Sequence, residues 1–510
     1  MRTGRLGLAR LLAAWALVAA LALGTTPARA GGIVGDGTRD SCTEAALDAA
    51  LAGGGAISFD CGPAPHTILI SGQKSIGVDT TIDGGGLITL DGQDAHRLFD
   101  VGASLTLRGI VLARAFFNGD GGAIRNNSNG RLTLERSTVR DSRATLSGGA
   151  ILSTGPLTIT DSLLEGNQAL NGGALYPRFA GARTTIVGSV LRNNRATGTT
   201  DGWGGAILAW DGAPVAIEGG EIFSNTARMG GGIYNFAGST LALRGSALLR
   251  GNRARDSGGG LWNEGTATLA GVTLSGNSAP YGGGIWNNGA VTLAGVTLSG
   301  NAAPPLGPVS AGGGGGLMNN RTATLTDVTI SGNSASWDGG GLANNDTATL
   351  TNVTISGNTA GERGGGLANA VGTATLTNVT ISGNTAGISG SSTYRLSGTI
   401  ALRNTIVASS LPGGNCDGGV TDGGYNLATD TSCGIASVPD ILLGPLADNG
   451  GPTQTHLPLP GSPAIDVVAA GRPPPDADQR GIPRPSGPAC DAGAAEYQAT
   501  LSLYLPAVQR

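Results

Sequence analysis

The chain has 510 residues, 91 of them glycine, with 13% charged residues and a formal net charge of −4. Four arginines lie among the first thirty residues; taking them from the 31 basic residues leaves 27 against 35 acidic, a net charge of −8 that disfavours nucleic acid as a partner. Lys74 is the only lysine, so lysine general-base or Schiff-base chemistry has a single candidate, and every other basic side chain is an arginine whose charge does not titrate.

Residues 1–30 read as a secretory signal peptide. Arg2, Arg5 and Arg10 precede an apolar run over 11–23, and Ala28-Arg29-Ala30 gives a small-x-small cleavage site. The run is short for a bilayer span and no later segment reaches the ~20 apolar residues that a transmembrane helix needs. A secreted or cell-surface protein is expected. In that setting the spacing of the five cysteines suggests the pairs Cys42–Cys61 and Cys416–Cys433, with Cys490 left over. Each bridge closes a short loop and contributes up to about 3 kcal/mol if unstrained.

Residues 31–62 form an N-terminal cap. Ser41 and Glu44 have capping-box spacing ahead of Ala45, Ala46, Leu47, Ala49, Ala50 and Leu51, which predicts a short amphipathic helix. From residue 63 to 440 the chain repeats itself. The anchor GG[AG][IL] begins at Gly121, Gly148, Gly172, Gly204, Gly230, Gly258, Gly282, Gly314, Gly339 and Gly364, nine intervals over 243 residues, so the mean period is 27. Within one unit Ala348 and Leu350 alternate with threonines, the phase slips at Asn352, and Val353 and Ile355 alternate again. Two runs of period two joined by a bend, plus a third short run at Leu342 after the glycine corner, predict three short strands per coil of a parallel β-helix. About thirteen coils are expected. Two asparagine columns, Asn167 through Asn384 and Asn235 through Asn369, recur once per coil and read as structural amide ladders rather than catalytic groups.

These repeats resemble those of right-handed parallel β-helix proteins of the pectin-lyase-like superfamily, and especially the Gly-Gly-x-Ile and Asn-x-Ala repeats of polymorphic outer-membrane proteins. The segment SCTEAALDAALAGGGAISFDCG is similar to the N-terminal Cys-Ser-Leu-Arg-Glu-Ala-type segment of secreted bacterial β-helix proteins, with Thr43-Glu44 where that motif carries Leu-Arg, and TTIDGGG at residues 80–86 resembles their first coils. The fold class implied is all-β, a right-handed parallel β-helix with a helical N-terminal cap and a Pro-rich C-terminal cap. Residues 441–497, with Asn449-Gly450-Gly451-Pro452-Thr453, Gly461-Ser462-Pro463-Ala464-Ile465-Asp466, Asp478-Gln479-Arg480-Gly481 and Asp491-Ala492-Gly493-Ala494, resemble the choice-of-anchor Q domain. That resemblance implies an extracellular protein. Asp466, Asp478, Arg480, Arg484 and Glu496 are expected to hold this region together by ion pairing. Residues 498–510 are an apolar tail.

Candidate chemistry is sparse. Asp201, Asp211, Asp256 and Glu264 lie in nearby coils and are the only candidate acids for a polysaccharide lyase or glycoside hydrolase, although no acidic column is present. No cofactor and no metal are called for: the glycine runs lack the Gly-Lys-Ser/Thr ending of a phosphate loop and the aspartates of a calcium-binding nonapeptide. The residue after each anchor should point outward, giving the column Tyr176, Leu208, Tyr234, Trp262, Trp286 and Met318, with Trp203 and Tyr281 near the neighbouring corner. Two readings of these rings stand. They form a platform for an extracellular polysaccharide or cell-surface glycan, or they stack on one another beneath loops, the reading preferred here. A threonine column, Thr273, Thr297, Thr329, Thr354 and Thr380, is expected on an outer face, where a flat hydroxyl array also suits ice. The expected function is a non-catalytic adhesion, glycan-binding or surface-structural protein; the alternatives are a polysaccharide-cleaving enzyme and an inert stalk. Nothing in the sequence specifies an oligomeric state.

Overall fold

A computed structural model describes residues 31–307, 312–408, 410, 413–468 and 475–498. The expected signal peptide at residues 1–30 and the expected tail at 498–510 lie outside the described residues, apart from residue 498. The described chain is an all-β right-handed parallel solenoid of about 15 turns.

Each coil passes three walls in turn. The coil that starts at Thr347 shows why. Its strand Thr347–Ser356 bends at Asn352, which sits at φ 52°. Left-handed backbone favours Asn, Asp and Gly, and the same bend falls at Gly271, Gly295, Asp327 and Asn378 in neighbouring coils. The phase slip in the sequence is this bend. It gives a bent wall of 26 strands among the described residues. A two-residue strand, Thr359–Ala360, then contributes to a narrow wall that the sequence pattern did not reveal, because two residues carry no measurable periodicity. After the glycine corner, Leu367–Asn369 joins an anchor wall of 14 strands.

The corner needs glycine twice over. Gly258 sits at φ 66°, and a Cβ on Gly259 would lie 2.3 Å from the carbonyl oxygen of Gly283 in the next coil. Inward-pointing Leu350, Val353, Ile355 and Leu367 are fully buried, as are their counterparts along the whole axis. Between them run the two asparagine ladders. In the first, Asn252 Nδ2 donates to Ile222 O and to Asn277 Oδ1 at 2.8 and 3.0 Å, and Asn277 repeats the pattern to Asn301. In the second, Asn235, Asn263, Asn287, Asn319 and Asn344 each donate to the next Oδ1 at 2.7–2.8 Å. The ladders thereby tie successive buried turns to one another from coil to coil. Asn352 and Asn378, which head Asn-x-Thr triplets, are also buried and therefore closed to glycosylation.

At the N-terminus the helix is Glu44–Leu51, capped by Thr43, whose hydroxyl accepts from Ala46 N. The capping-box expectation for Ser41 is corrected: Ser41 ends a 3₁₀ turn, and the Glu44 carboxylate instead takes Lys74 at 2.6 Å and Ser71. The lone lysine pins the cap helix to the third wall, with Asp48 as its second partner at 2.7 Å. Both expected disulfides are present, Cys42–Cys61 and Cys416–Cys433, and Cys490 is buried.

The Pro-rich C-terminal segment caps the last coils and also runs back along the bent wall as a strap. Ile441, Ala464 and Ala492 pack on Ile406 and Leu427. Farther back, Gln479 is buried against the threonine column: its Nε2 donates to Val328 O, Thr329 Oγ1 and Thr453 Oγ1, and its Oε1 accepts from Thr354 Oγ1 at 2.7 Å. Thr380 Oγ1 accepts from Ala494 N. His456 fits the same line. Burial lowers its pKa, so the neutral ring accepts from Ser356 Oγ at 2.8 Å through Nε2 and donates to Gly444 O through Nδ1. The outward threonine column is therefore not a free hydroxyl array; Thr329, Thr354 and Thr380 are buried beneath this chain's own strap. The expected ion pairs hold the strap internally, Arg480 to Asp478 at 2.7 Å and Arg484 to Glu496 at 2.5 Å, all four side chains buried.

Candidate functional site

The anchor wall carries the predicted rings, and its register brings them into one column. Tyr234 pairs with Trp262, Trp262 with Trp286, and Trp286 with Met318. The rings do face away from the core, yet most are not exposed. Tyr176, Tyr234 and Trp262 are all less than 9% exposed. They bury one another: ring centroids lie 5.5 Å apart for Tyr234–Trp262 and 4.5 Å for Trp262–Trp286, both stacked. Trp203 leans in from the loop before Gly204 and stacks on Trp210 and Tyr234 at 5.2 and 5.6 Å. Burial pushes the Tyr176 hydroxyl up to about 12 and raises that of Tyr234 further, with the Glu264 carboxylate adding to it. Tyr281 meets Trp286 edge-on at 6.0 Å. The result is a secondary core on the outside of the solenoid.

The four candidate acids are not gathered. Asp201 and Asp256 precede the strands Ile207–Ala209 and Leu261–Asn263, whereas Asp211 and Glu264 follow them, so the pairs stand at opposite edges of the wall. Asp211 is bound to Arg178 at 3.1 Å, and Asp256 to Arg228 at 2.5 Å and Arg255 at 3.4 Å. Asp201 is exposed and takes Thr200 Oγ1 at 3.3 Å. Asp211 and Asp256 are thus each engaged by guanidinium groups rather than facing one another across a shared site.

The open site lies one step farther along the same column, where the sequence reading stopped at Met318. The next outward residues are Ala343, Ala368 and Tyr394, paired in register. Two missing side chains in a column of large ones leave a notch of about 290 Å³. Its floor is Ala343 and Ala368, and Met318, Tyr281 and Tyr394 stand around it. Trp337, 43% exposed, forms part of its rim. Polar groups border it. Arg363 lies over the Tyr394 ring at 5.2 Å and donates to its hydroxyl, and Arg363 N donates to Asp338 Oδ1 at 3.1 Å. Burial holds the Asp338 carboxyl up at about 6, Arg363 opposing the shift and Glu362 adding to it. Asn345, tied to Asn320, supplies an amide. The signal for this site was present in the sequence as the continuation of the ring column through two alanines.

Fold and site together define a parallel β-helix with a bespoke outer wall. No family model matches the chain, and no curated protein matches it. Among solved structures it is similar to the A-modules of two Azotobacter vinelandii mannuronan C-5 epimerases, AlgE4 (15% identity, TM-score 0.33) and AlgE6 (14%, TM-score 0.31). Each match covers 80% of this chain, and 97% and 98% of the respective module. Among the described residues no helix is long and apolar enough to cross a membrane.

Proposed function

We propose that this is an exported, non-catalytic β-helix protein of the pectin-lyase-like type that binds extracellular polysaccharide or cell-surface glycan through the anchor wall, with residues 441–497 serving as a choice-of-anchor Q-type region. The notch between Met318 and Tyr394 is the observation that carries this reading. Its apolar floor spans two coils, about 9.6 Å at the strand spacing, wide enough for the C–H face of a pyranose ring. Trp337 and Tyr394 offer rings at its edges, and Arg363, Asn345 and Asp338 offer hydrogen bonds to hydroxyls, the mixture of apolar surface and a few convergent polar groups that marks small-ligand sites. Two disulfides agree with an oxidising compartment.

Asp338 also favours a second reading, a polysaccharide lyase or glycoside hydrolase. A carboxyl held near pH 6 beside Arg363 is suited to general acid–base work. Native electrophoresis through gels cast with a panel of polysaccharides separates the readings. Retardation without clearing, lost in Trp337→Ala and in the notch-filling Ala368→Phe, is the expected result. A cleared zone abolished by Asp338→Asn would make the protein an enzyme, and no effect in any gel would leave a structural stalk.

A further inference from the structure

We propose that the narrow wall carries a second binding site, for a linear polysaccharide bearing one acidic group on every second sugar. The residue after each asparagine of the first ladder points outward on this wall. In consecutive coils it is Gln168, Arg195, Thr226 and Arg253, preceded in the same unbroken register by Arg143, which follows Ser142 at the head of the ladder. Guanidinium groups therefore recur at every second coil, about 9.6 Å apart at the strand spacing. That interval is close to the disaccharide repeat of an extended, two-fold polysaccharide, which presents alternate sugars on the same side.

Two grooves, about 720 and 370 Å³, lie along this strip and share Thr197. The loop at Gly198 and Thr199 and the segment Pro304 to Leu306 border the larger one. Four arginines line it, Arg195, Arg228, Arg253 and Arg255, and no carboxylate does, in a chain whose net charge is −4. Arg143 is paired with Asp94 at 2.9 Å, and Arg228 and Arg255 share Asp256. Arg195 and Arg253 are exposed and make no ion pair among the described residues. Gln168 and Thr226, between the charges, offer hydrogen bonds to hydroxyls. The strip ends after Arg253, where Ser278 and Ala302 continue the register.

Arginine presents a planar fork that matches carboxylate and sulfate oxygens, so either acidic group suits the site. Single-stranded nucleic acid is a poorer match, because it requires aromatic platforms between the charges, and among the described residues the only ring in this register is Phe116 at one end. The inference rests on the glycan-binding reading for the class of polymer, but not on the notch, which lies on another wall.

The test measures binding of the purified protein to hyaluronan, κ-carrageenan, neutral dextran and single-stranded DNA at low and high salt. Hyaluronan or κ-carrageenan should bind, with an affinity that falls about tenfold or more as salt is raised through the physiological range. The tighter of the two identifies carboxylate or sulfate as the natural group. Arg195→Gln with Arg253→Gln should weaken that binding about tenfold without lowering the melting temperature, since both side chains are exposed. Arg195→Lys with Arg253→Lys should retain the salt dependence and recover part of the affinity. Trp337→Ala should leave it unchanged; if Trp337→Ala alone abolishes anionic binding, the notch is the site and this proposal fails. Equal binding to single-stranded DNA, or anionic-glycan binding indifferent to the glutamine pair, would overturn it as well.

Discussion

The coils between Gly148 and Asn287 and those between Gly314 and Ala386 share an interior and differ in almost everything outside it. Both halves stack the same Leu, Ile and Val columns and the same asparagine ladders. In the first half the outward positions hold rings on one wall and arginines on another, and loops such as the one around Trp203 fold over them. In the second half the repeats are nearly identical and their outward residues are threonine, serine and alanine, and the bent wall there is covered by the chain's own C-terminal strap. A solenoid thus separates what makes the fold from what it displays. The most regular repeats are a docking track for the strap, and the notch forms where bulky columns give way to that regular text.

If the interior is equivalent in both halves, the largest effect should come from breaking it, and by the same amount in each. Asn252→Ala and Asn358→Ala each strand the backbone N–H and side-chain amide of the preceding coil's asparagine and a carbonyl of that same coil. About 3 kcal/mol is expected from each, read as parallel losses in urea midpoint; a loss confined to one half would break the comparison.

The outer cluster should matter only in the first half. Trp262→Ala removes a ring stacked on both Tyr234 and Trp286 and is expected to cost about 3 kcal/mol, at the low end for burying so large a side chain. Hydrogen exchange should quicken around Tyr234 and leave the strands at Thr347 and Thr373 unchanged.

Strap contacts should matter only in the second half. Gln479→Ala leaves four donor contacts and one acceptor contact unmade and should cost about 2 kcal/mol. Limited proteolysis within 441–497 should accelerate while the repeats remain protected.

The smallest effect is one of pH. His456 has a folded pKa below its ordinary 6.5, so its contribution is present above that value and is lost as the pH falls below it, when the unfolded chain takes up a proton that the buried ring refuses. The His456 share of strap protection should fall between pH 7 and pH 5, read as the difference in slope between the unaltered protein and His456→Asn. Asp491 works in the opposite sense. Burial raises its carboxyl to about 6, so its contribution is present below its ordinary value and is lost as the pH rises through 6.

Much of the fold was legible because it repeats. The anchors, the slip at Asn352 and the two asparagine columns each recur often enough to exclude a local accident, and the cysteine spacings gave both disulfides. What was not legible depends on contacts between residues far apart in sequence. Gln479 meets Thr354 from 125 residues away, and nothing in the local text of either announces it. The rings were placed on the correct side of the wall, but their mutual burial depends on Trp203 and Trp210 folding across coils. Thr43 rather than Ser41 caps the helix because Glu44 is drawn to Lys74 in a later coil. The notch was readable in principle, as a column in which two alanines follow Trp286 and Met318, and the arginine strip likewise, as the residue after each ladder asparagine.

Hydroxyl-radical footprinting of the protein with and without a polysaccharide that retards it tests most directly the claim that binding resides where the bulky outer column breaks. Protection is expected at Trp337 and Tyr281, with Val371 and Ile388, both 56% exposed, reacting as before. Unchanged oxidation at Trp337 in the bound state, with protection elsewhere, would contradict it.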